Sequence, residues 1–386
     1  MKIINGGVNA VEGITSIGKC VGIKKSGKLD FAVIFSDKPC TAAAIYTGNK
    51  MKGAPLIVTK KHLKDGKAQA IVINSGIANV CTGKKGIKDA EETAQLAASE
   101  LGIKKTNVLV ASTGLIGSYL PMDKIIEGVK GVKNELSKNS KVAEAIMTTD
   151  TKKKEIAVQA DNFRIGGIAK GSGMIHPNMA TMLGFIATDA KISQSSLQKM
   201  LKESADDSFN MMCVDTDTST SDMVIIMSTG RVKANLSTFK NTLSFVCKEL
   251  AKKIARDGEG ATKLLVVNVK NAAKKEDARK IAKSVISSSL VKCAFYGNDP
   301  NWGRIMCAIG NSIAYFAEEK INIMIEGVKI VQNGKSANFD FAKLKKKMQG
   351  NEVKIIIDIQ LGKEEATAYG CDMGTDYVKI NSLYKT

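Results

Sequence analysis

The feature that most constrains this chain is one amphipathic stretch, residues 236–256, where Leu243, Cys247, Leu250 and Ile254 recur at helical spacing. A helix with a single apolar stripe has to lay that stripe on another layer. Short apolar runs supply the layers: 31–35, 55–59 and 70–74 near the start, then 108–112, 155–159, 163–168, 182–187 and 222–227. Runs at 264–269, 353–361 and 365–368 continue the pattern, and all of these read as strands. Further helices are predicted over 193–206, 276–287 and 341–348, with another that Asp89 caps and Gly102 ends. Asn333-Gly334 marks a hairpin. Strands and helices mix without regular βαβ alternation, which predicts α+β layers in preference to a doubly wound sheet. With 386 residues there is room for two domains or one elaborate one.

Composition narrows the function classes. The net charge of +19 is nearly all lysine, since Arg164, Arg231, Arg256, Arg279 and Arg304 are the only arginines. Arginine is the preferred residue for bidentate base and phosphate contacts, and here the lysines are spread among carboxylates without an aromatic-rich basic block. A solvated lysine surface is therefore expected, and no nucleic-acid partner. Eight scattered cysteines without a C-x-x-C pair, and only two histidines, His62 and His176, predict no metal site and no disulfide framework. No apolar run approaches a membrane span, and Met1-Lys2-Ile3-Ile4-Asn5-Gly6-Gly7 lacks the apolar core of a signal peptide. No membrane association and a cytoplasmic location are expected.

With histidine so scarce, an enzyme built on this chain needs another base. The central stretch Lys170-Gly171-Ser172-Gly173-Met174-Ile175-His176-Pro177-Asn178-Met179-Ala180-Thr181-Met182-Leu183 offers one. Attack by the Thr181 hydroxyl on the Ala180 carbonyl would cut the chain and leave Thr181 with a free α-amine. Such an amine has a reference pKa of about 7.7–8.0, so nucleophile and base would share one residue. The stretch alone equally describes a loop entering a strand. Thr113-Gly114, ending a strand, reads as an oxyanion-binding pair or as an ordinary turn. Lys170 could bind a carboxylate and Glu259 an ammonium group, or both could be solvated charges. His176 could steady the loop before cleavage or have no role.

Taken together, these segments resemble the glutamate N-acetyltransferase/ornithine acetyltransferase family, over almost the whole chain. Beside the central stretch, the resemblance is carried by Ser112-Thr113-Gly114-Leu115-Ile116-Gly117, Thr148-Thr149-Asp150-Thr151 and Asp257-Gly258-Glu259-Gly260-Ala261-Thr262-Lys263. Asp299-Pro300-Asn301-Trp302-Gly303-Arg304 and Ile380-Asn381-Ser382 add to it. The resemblance implies self-cleavage between Ala180 and Thr181 into associated chains of residues 1–180 and 181–386. It implies Thr181 as the acetyl-carrying nucleophile, Thr113 and Gly114 as the oxyanion hole, and Thr148, Lys170, Thr181, Glu259, Asn381 and Thr386 as substrate-binding residues. The implied fold is a layered α/β/β/α sandwich with a smaller carboxy-terminal α/β domain, the boundary falling near 265–290.

The implied reaction is ping-pong transfer of acetyl from N2-acetyl-L-ornithine to L-glutamate in the cyclic arginine pathway. No cofactor is implied, acetyl-CoA is a candidate co-substrate, and two cleaved protomers are expected to form a heterotetramer. The alternative is a self-processed threonine amidohydrolase or aminopeptidase, in which water resolves the acyl-enzyme. The chain departs from the family pattern at Ile77, where asparagine is usual, at Thr216 in place of glycine, and at Ser221 in place of asparagine.

Overall fold

The computed structural model describes residues 1–176 and 182–383. In the first part of the chain the strands are β1 (Lys2–Ile4), β2 (Ile14–Lys19), β3 (Phe31–Tyr46), β4 (Lys67–Ile77), β5 (Val108–Leu115), β6 (Lys154–Ala160) and β7 (Phe163–Lys170). Five helices lie among them: α1 (Ala54–His62), α2 (Gly83–Leu101), α3 (Met122–Val129), α4 (Val132–Glu135) and α5 (Val142–Ala145). Then come β8 (Leu183–Lys191), α6 (Gln194–Asp206), β9 (Met212–Cys213), β10 (Met223–Lys233) and α7 (Leu236–Arg256). The last third holds β11 (Leu264–Ala272), α8 (Lys275–Ser287), α9 (Ser289–Tyr296), α10 (Trp302–Gly310), β12 (Asn322–Ile325), β13 (Val328–Gln332) and β14 (Lys335–Ser336). It closes with α11 (Phe341–Lys347), β15 (Glu352–Asp358), β16 (Glu364–Cys371) and α12 (Thr375–Leu383).

A nine-stranded sheet runs β1-β6-β7-β8-β10-β3-β4-β5, with β2 on the other edge contact of β3. The long strand β3 makes it a sandwich. Its pairing with β4 slips between Phe35 and Cys40, and the exposed residues Asp37, Lys38 and Pro39 mark the corner. On both sides of that corner its even positions, Ala32, Ile34, Ala42 and Ala44, face one inner core with Ile71, Ile73, Phe185 and Ile225. The odd positions change layer: Val33 packs outward with Val72, Val110, Ala94 and Ile125, whereas Ala43 and Ile45 join Ile186, Ile226, Leu201 and Leu250. The period-two alternation of strands thus yields helix, sheet, sheet and helix in sequence. This is an α+β fold of the α/β/β/α kind, with α1 to α3 on one outside and α6 and α7 on the other.

From Leu264 onward the chain builds a second sheet, β14-β13-β12-β15-β11-β16-β9, to which the earlier strand β9 adds an edge and which Ala278, Ile281 and Val285 of α8 cover on one face. Its other face meets α7, because Leu264, Tyr369 and Cys371 share a core with Leu250 and Ile254. The stripe on 236–256 is therefore covered from two sides, and α7 is the plate between the two sheets.

Two local expectations are corrected. Residues 55–59 are not a strand but lie within α1; Pro55 sits in its first turn, and Thr59 exchanges hydrogen bonds with Val110, accepting from its N–H and donating to its carbonyl, at 2.8 and 2.7 Å. Tertiary contact overrides the β-branched run Ile57-Val58-Thr59. Asp89 does not cap α2, which starts six residues earlier at Gly83; it lies mid-helix and pairs with Lys85 at 2.7 Å. The left-handed Gly102 does end that helix. Between α9 and α10, residues 297 and 298 form a turn, and Asn301 Oδ1 accepts from Arg304 N–H to start α10.

Candidate active site

Thr113 and Gly114 end β5, in parallel register with Ser75 and Gly76 of β4. Gly114 has φ +127° and Gly76 φ +110°, both in the region that favours glycine. A Cβ at Gly114 would stand 2.3 Å from the carbonyl carbon of Gly76 and 2.5 Å from its oxygen. The β4–β5 register shifts here, between Gly76 and Ile77, while the pairing continues to Leu115. The result is a backbone corner that opens onto a cleft of about 1730 Å³, whose wall includes Gly114, Thr148 and Ile380.

Lys170, the last residue of β7, is buried and donates from Nζ to Thr113 Oγ1 at 3.2 Å. An ammonium has no lone pair, so Thr113 accepts with its oxygen and keeps its own proton free for another acceptor. Burial pulls the Lys170 ammonium below the usual lysine range, opposed first by Asp150. Asp150 is the hub of this region. Its Oδ1 accepts from Gly171 N–H at 2.7 Å and from Lys154 Nζ at 2.6 Å, and its Oδ2 accepts from Thr148 N–H at 3.0 Å. Lys154 also meets Asp257 at 2.6 Å.

Burial pushes the Asp150 carboxyl up, but Lys170 and Lys154 outweigh it and hold the group down at about 2. A carboxyl depressed below its unfolded value of 3.8 contributes stability that is complete above that value and is lost as pH falls toward about 2. Asp150→Asn should accordingly flatten the loss of stability between about pH 4 and 2. Urea unfolding at a series of pH values checks this, and an unchanged slope contradicts it.

Glu259 follows α7, with its N–H donating to the Ser172 carbonyl at 3.0 Å. Its carboxylate lies so close to Gly173 that a Cβ there would meet it at 2.4 Å. Asn381 on α12 donates to Glu259 Oε2 at 2.9 Å, and Ser172 shares a 2.6 Å hydroxyl pair with Thr149. Thr113, Gly114, Thr148, Lys170, Glu259 and Asn381, spread over most of the sequence, thus form one connected cluster. Ala180, Thr181 and Thr386 lie outside the described residues. The register partner of Lys170 is Leu183, so the cluster sits beside the strand that begins just after Thr181.

Sequence reasoning missed Lys154, which sits in the run Lys152-Lys153-Lys154 and was expected on a solvated surface. It is 1% exposed, as is Lys292. A signal was present: Lys154 shares the strand parity of buried Ile156 and Val158. Asp222 was missed too. It is buried immediately before β10, and burial raises its carboxyl well above the usual range. Among the described residues, no group of three or more His, Cys, Asp or Glu could hold a metal ion, and no helix is long and apolar enough to cross a membrane.

A family model, the ArgJ family, matches residues 15–386. The chain belongs to the ArgJ family. Its relatives include the arginine biosynthesis bifunctional protein of Streptococcus thermophilus, 47% identical over 399 residues and all of both chains. The protein of the same name from Symbiobacterium thermophilum is 45% identical over 402 residues, again with full coverage of both. Among solved structures, the Bacillus halodurans protein of that name is 39% identical, over 51% of this chain and 96% of its own, with a TM-score of 0.49. Ornithine acetyltransferase of Mycobacterium tuberculosis, in complex with ornithine, is 41% identical over 46% of this chain and 99% of its own, with a TM-score of 0.45.

Two of the positions singled out above have physical consequences. Thr216 has φ +73°, a conformation a β-branched residue adopts only under strain. Ser221 has a buried hydroxyl with no partner among the described residues. Ile77 keeps its turn through its carbonyl, which accepts from Asn74 Nδ2 at 2.8 Å.

Proposed function

We propose that the chain is a self-cleaving N-terminal-threonine acetyltransferase that moves acetyl from N2-acetyl-L-ornithine to L-glutamate. The observation that carries this reading is the contact of Lys170 with Thr113 beside the Gly114 corner, in a chain of the ArgJ family. It supports an oxyanion hole made of the Thr113 hydroxyl and the Gly114 N–H, because Lys170 leaves the Thr113 proton free to donate.

In the first half-reaction the Thr181 hydroxyl attacks the acetyl carbonyl, and its α-amine takes the hydroxyl proton. The oxyanion collapses, the amide C–N bond breaks, and the same proton goes to the departing amine of ornithine. In the second half-reaction the glutamate amine attacks the acetyl ester, losing a proton to the α-amine, and the Thr181 oxygen leaves and is reprotonated. Lys170 and Glu259 give one cation and one anion to bind a zwitterionic amino acid, with Thr148 and Asn381 near them and Thr386 as a further proposed contact. No metal or prosthetic group is required.

Self-cleavage would leave the two chains interlocked. Strands β8 and β10, from after Thr181, lie between β7 and β3, from before it, and hydrogen-bond to both. Pairing of two such protomers into a heterotetramer and a cytoplasmic location complete the reading. Acetyl-CoA as a second acetyl donor fits the cleft, which at about 1730 Å³ exceeds the needs of an amino acid and carries Lys25 and Lys28 on its rim.

The test is to incubate the protein with N2-acetyl-ornithine, with and without glutamate, and to quantify N-acetylglutamate and acetate, with a parallel arm on acetyl-CoA. The reading expects ornithine and N-acetylglutamate in equal amounts. Acetate released at the same rate without glutamate would instead identify an amidohydrolase.

A further inference from the structure

The stretch that leads toward Ala180 and Thr181 is held most extensively, among the described residues, by the segment that begins at Val214. Asp215 accepts from two consecutive backbone groups, Met174 N–H at 2.6 Å and Ile175 N–H at 2.8 Å. Val214 N–H donates to the Ile175 carbonyl at 2.7 Å, and the Thr218 hydroxyl donates to the His176 carbonyl at 2.8 Å. On the far side, Met223 N–H donates to the Met182 carbonyl at 3.0 Å. Residues 214–223 therefore grip the described chain on both sides of the scissile bond.

That grip is itself mounted on the second sheet. Immediately before it, β9 pairs with Tyr369 and Gly370 of β16, and Lys292 ties the two strands by donating to the Cys213 carbonyl at 3.2 Å and the Cys371 carbonyl at 2.7 Å. Asp215 also accepts from Asp217 N–H at 3.2 Å, closing a loop over the left-handed Thr216.

We propose that Asp215 is a positioning residue for self-cleavage, and that through β9 the second sheet has to be docked before the Ala180–Thr181 bond can break. This rests on the self-cleavage reading above. In that step the Thr181 oxygen bonds to the Ala180 carbonyl carbon and the C–N bond breaks, the hydroxyl proton passing to the freed amine. One water then hydrolyses the ester, leaving a carboxylate on Ala180 and a hydroxyl on Thr181.

Intramolecular attack depends on fixed geometry, and a misplacement of about 1 Å costs on the order of 100-fold. Two carboxylate oxygens on two successive N–H groups fix the backbone at 174 and 175. An amide at 215 keeps one acceptor and turns a donor toward the other N–H. Because β9 pairs with β16, which follows every other strand of both sheets, cleavage would follow completion of both sheets.

The experiment expresses the full chain as wild type, Asp215→Asn, Asp215→Glu and Gly370→Ala, and follows the cut fraction by intact mass over time beside a thermal melt. A Cβ at Gly370 would stand 2.6 Å from Ile286 Cγ1 on α8 and 2.8 Å from the Cys213 carbonyl oxygen, so Gly370→Ala disturbs the β9–β16 pairing without altering Asp215. The expected result is cut wild type, Asp215→Asn slowed about 100-fold with a cooperative melt, partial rescue in Asp215→Glu, and slowed cutting in Gly370→Ala. Should Asp215→Asn fail to melt cooperatively, Gly370→Ala decides. Wild-type cutting rates in folded Asp215→Asn or in Gly370→Ala overturn the proposal, whereas an uncut wild type overturns the self-cleavage reading beneath it.

Discussion

Gly114→Ala is expected to lower acetyl transfer by about 100- to 1000-fold, the effect of removing one oxyanion donor. The added Cβ would overlap the Gly76 peptide, with its nearest atom at 2.3 Å, and the backbone at φ +127° resists any L side chain. Relief requires the end of β5 to move, which carries the Gly114 N–H and the Thr113 hydroxyl away from the reacting carbonyl. The loss should fall on kcat, because the donors act on charge that develops in the transition state. Steady-state kinetics with acetylornithine and glutamate measures it. A variant with kcat within about threefold of wild type would remove this corner from the chemistry.

Lys154→Met is expected to destabilise the fold by about 3–5 kcal/mol, the usual consequence of leaving a buried carboxylate without its partner. Among the described residues, Lys154 is the cation that meets both Asp150 and Asp257, each at 2.6 Å, and all three side chains are largely removed from water. Asp257 also accepts from Thr151 N–H at 3.0 Å and receives the Thr151 hydroxyl, so the charge it carries cannot simply relocate. The same change loosens Asp150, and with it the N–H groups of Thr148 and Gly171. Activity should therefore fall along with stability. Denaturant unfolding measures the cost, and a midpoint equal to wild type would mean that water replaces the ammonium without penalty.

Most of the architecture was legible because strand and helix periods are strong signals. The stripe on 236–256 became α7, bounds included, and 264–269 and 276–287 became β11 and α8 with small shifts. What failed was decided by contacts distant in sequence. The run Ile57-Val58-Thr59 has strand chemistry, yet the bond of Thr59 to Val110 and the proline in the first turn make it helical. Nothing local announces that β3 runs 16 residues and turns a corner, since the corner depends on which neighbours its odd positions meet.

The site followed the same division. Thr113, Gly114, Lys170 and Glu259 could be picked from motifs, because glycine-flanked polar residues at strand and helix ends are unusual. Their contacts came only with the fold, which sets Lys170 against Thr113 and Asn381 against Glu259. Asp150, Asp215 and Lys154 stayed hidden in polar runs. Their partners are backbone N–H groups and charges that sequence alone does not bring near.

The central claim is that Thr181 is both the product of cleavage and the nucleophile. Intact-mass measurement of purified wild type and Thr181→Ala tests it most directly, with the wild type then exposed to acetylornithine in the absence of glutamate. The account predicts two wild-type fragments dividing between Ala180 and Thr181, one uncut and inactive Thr181→Ala chain, and an acetyl group gained on the fragment that begins at Thr181. A wild-type protein that transfers acetyl at full rate as a single uncut chain would contradict it.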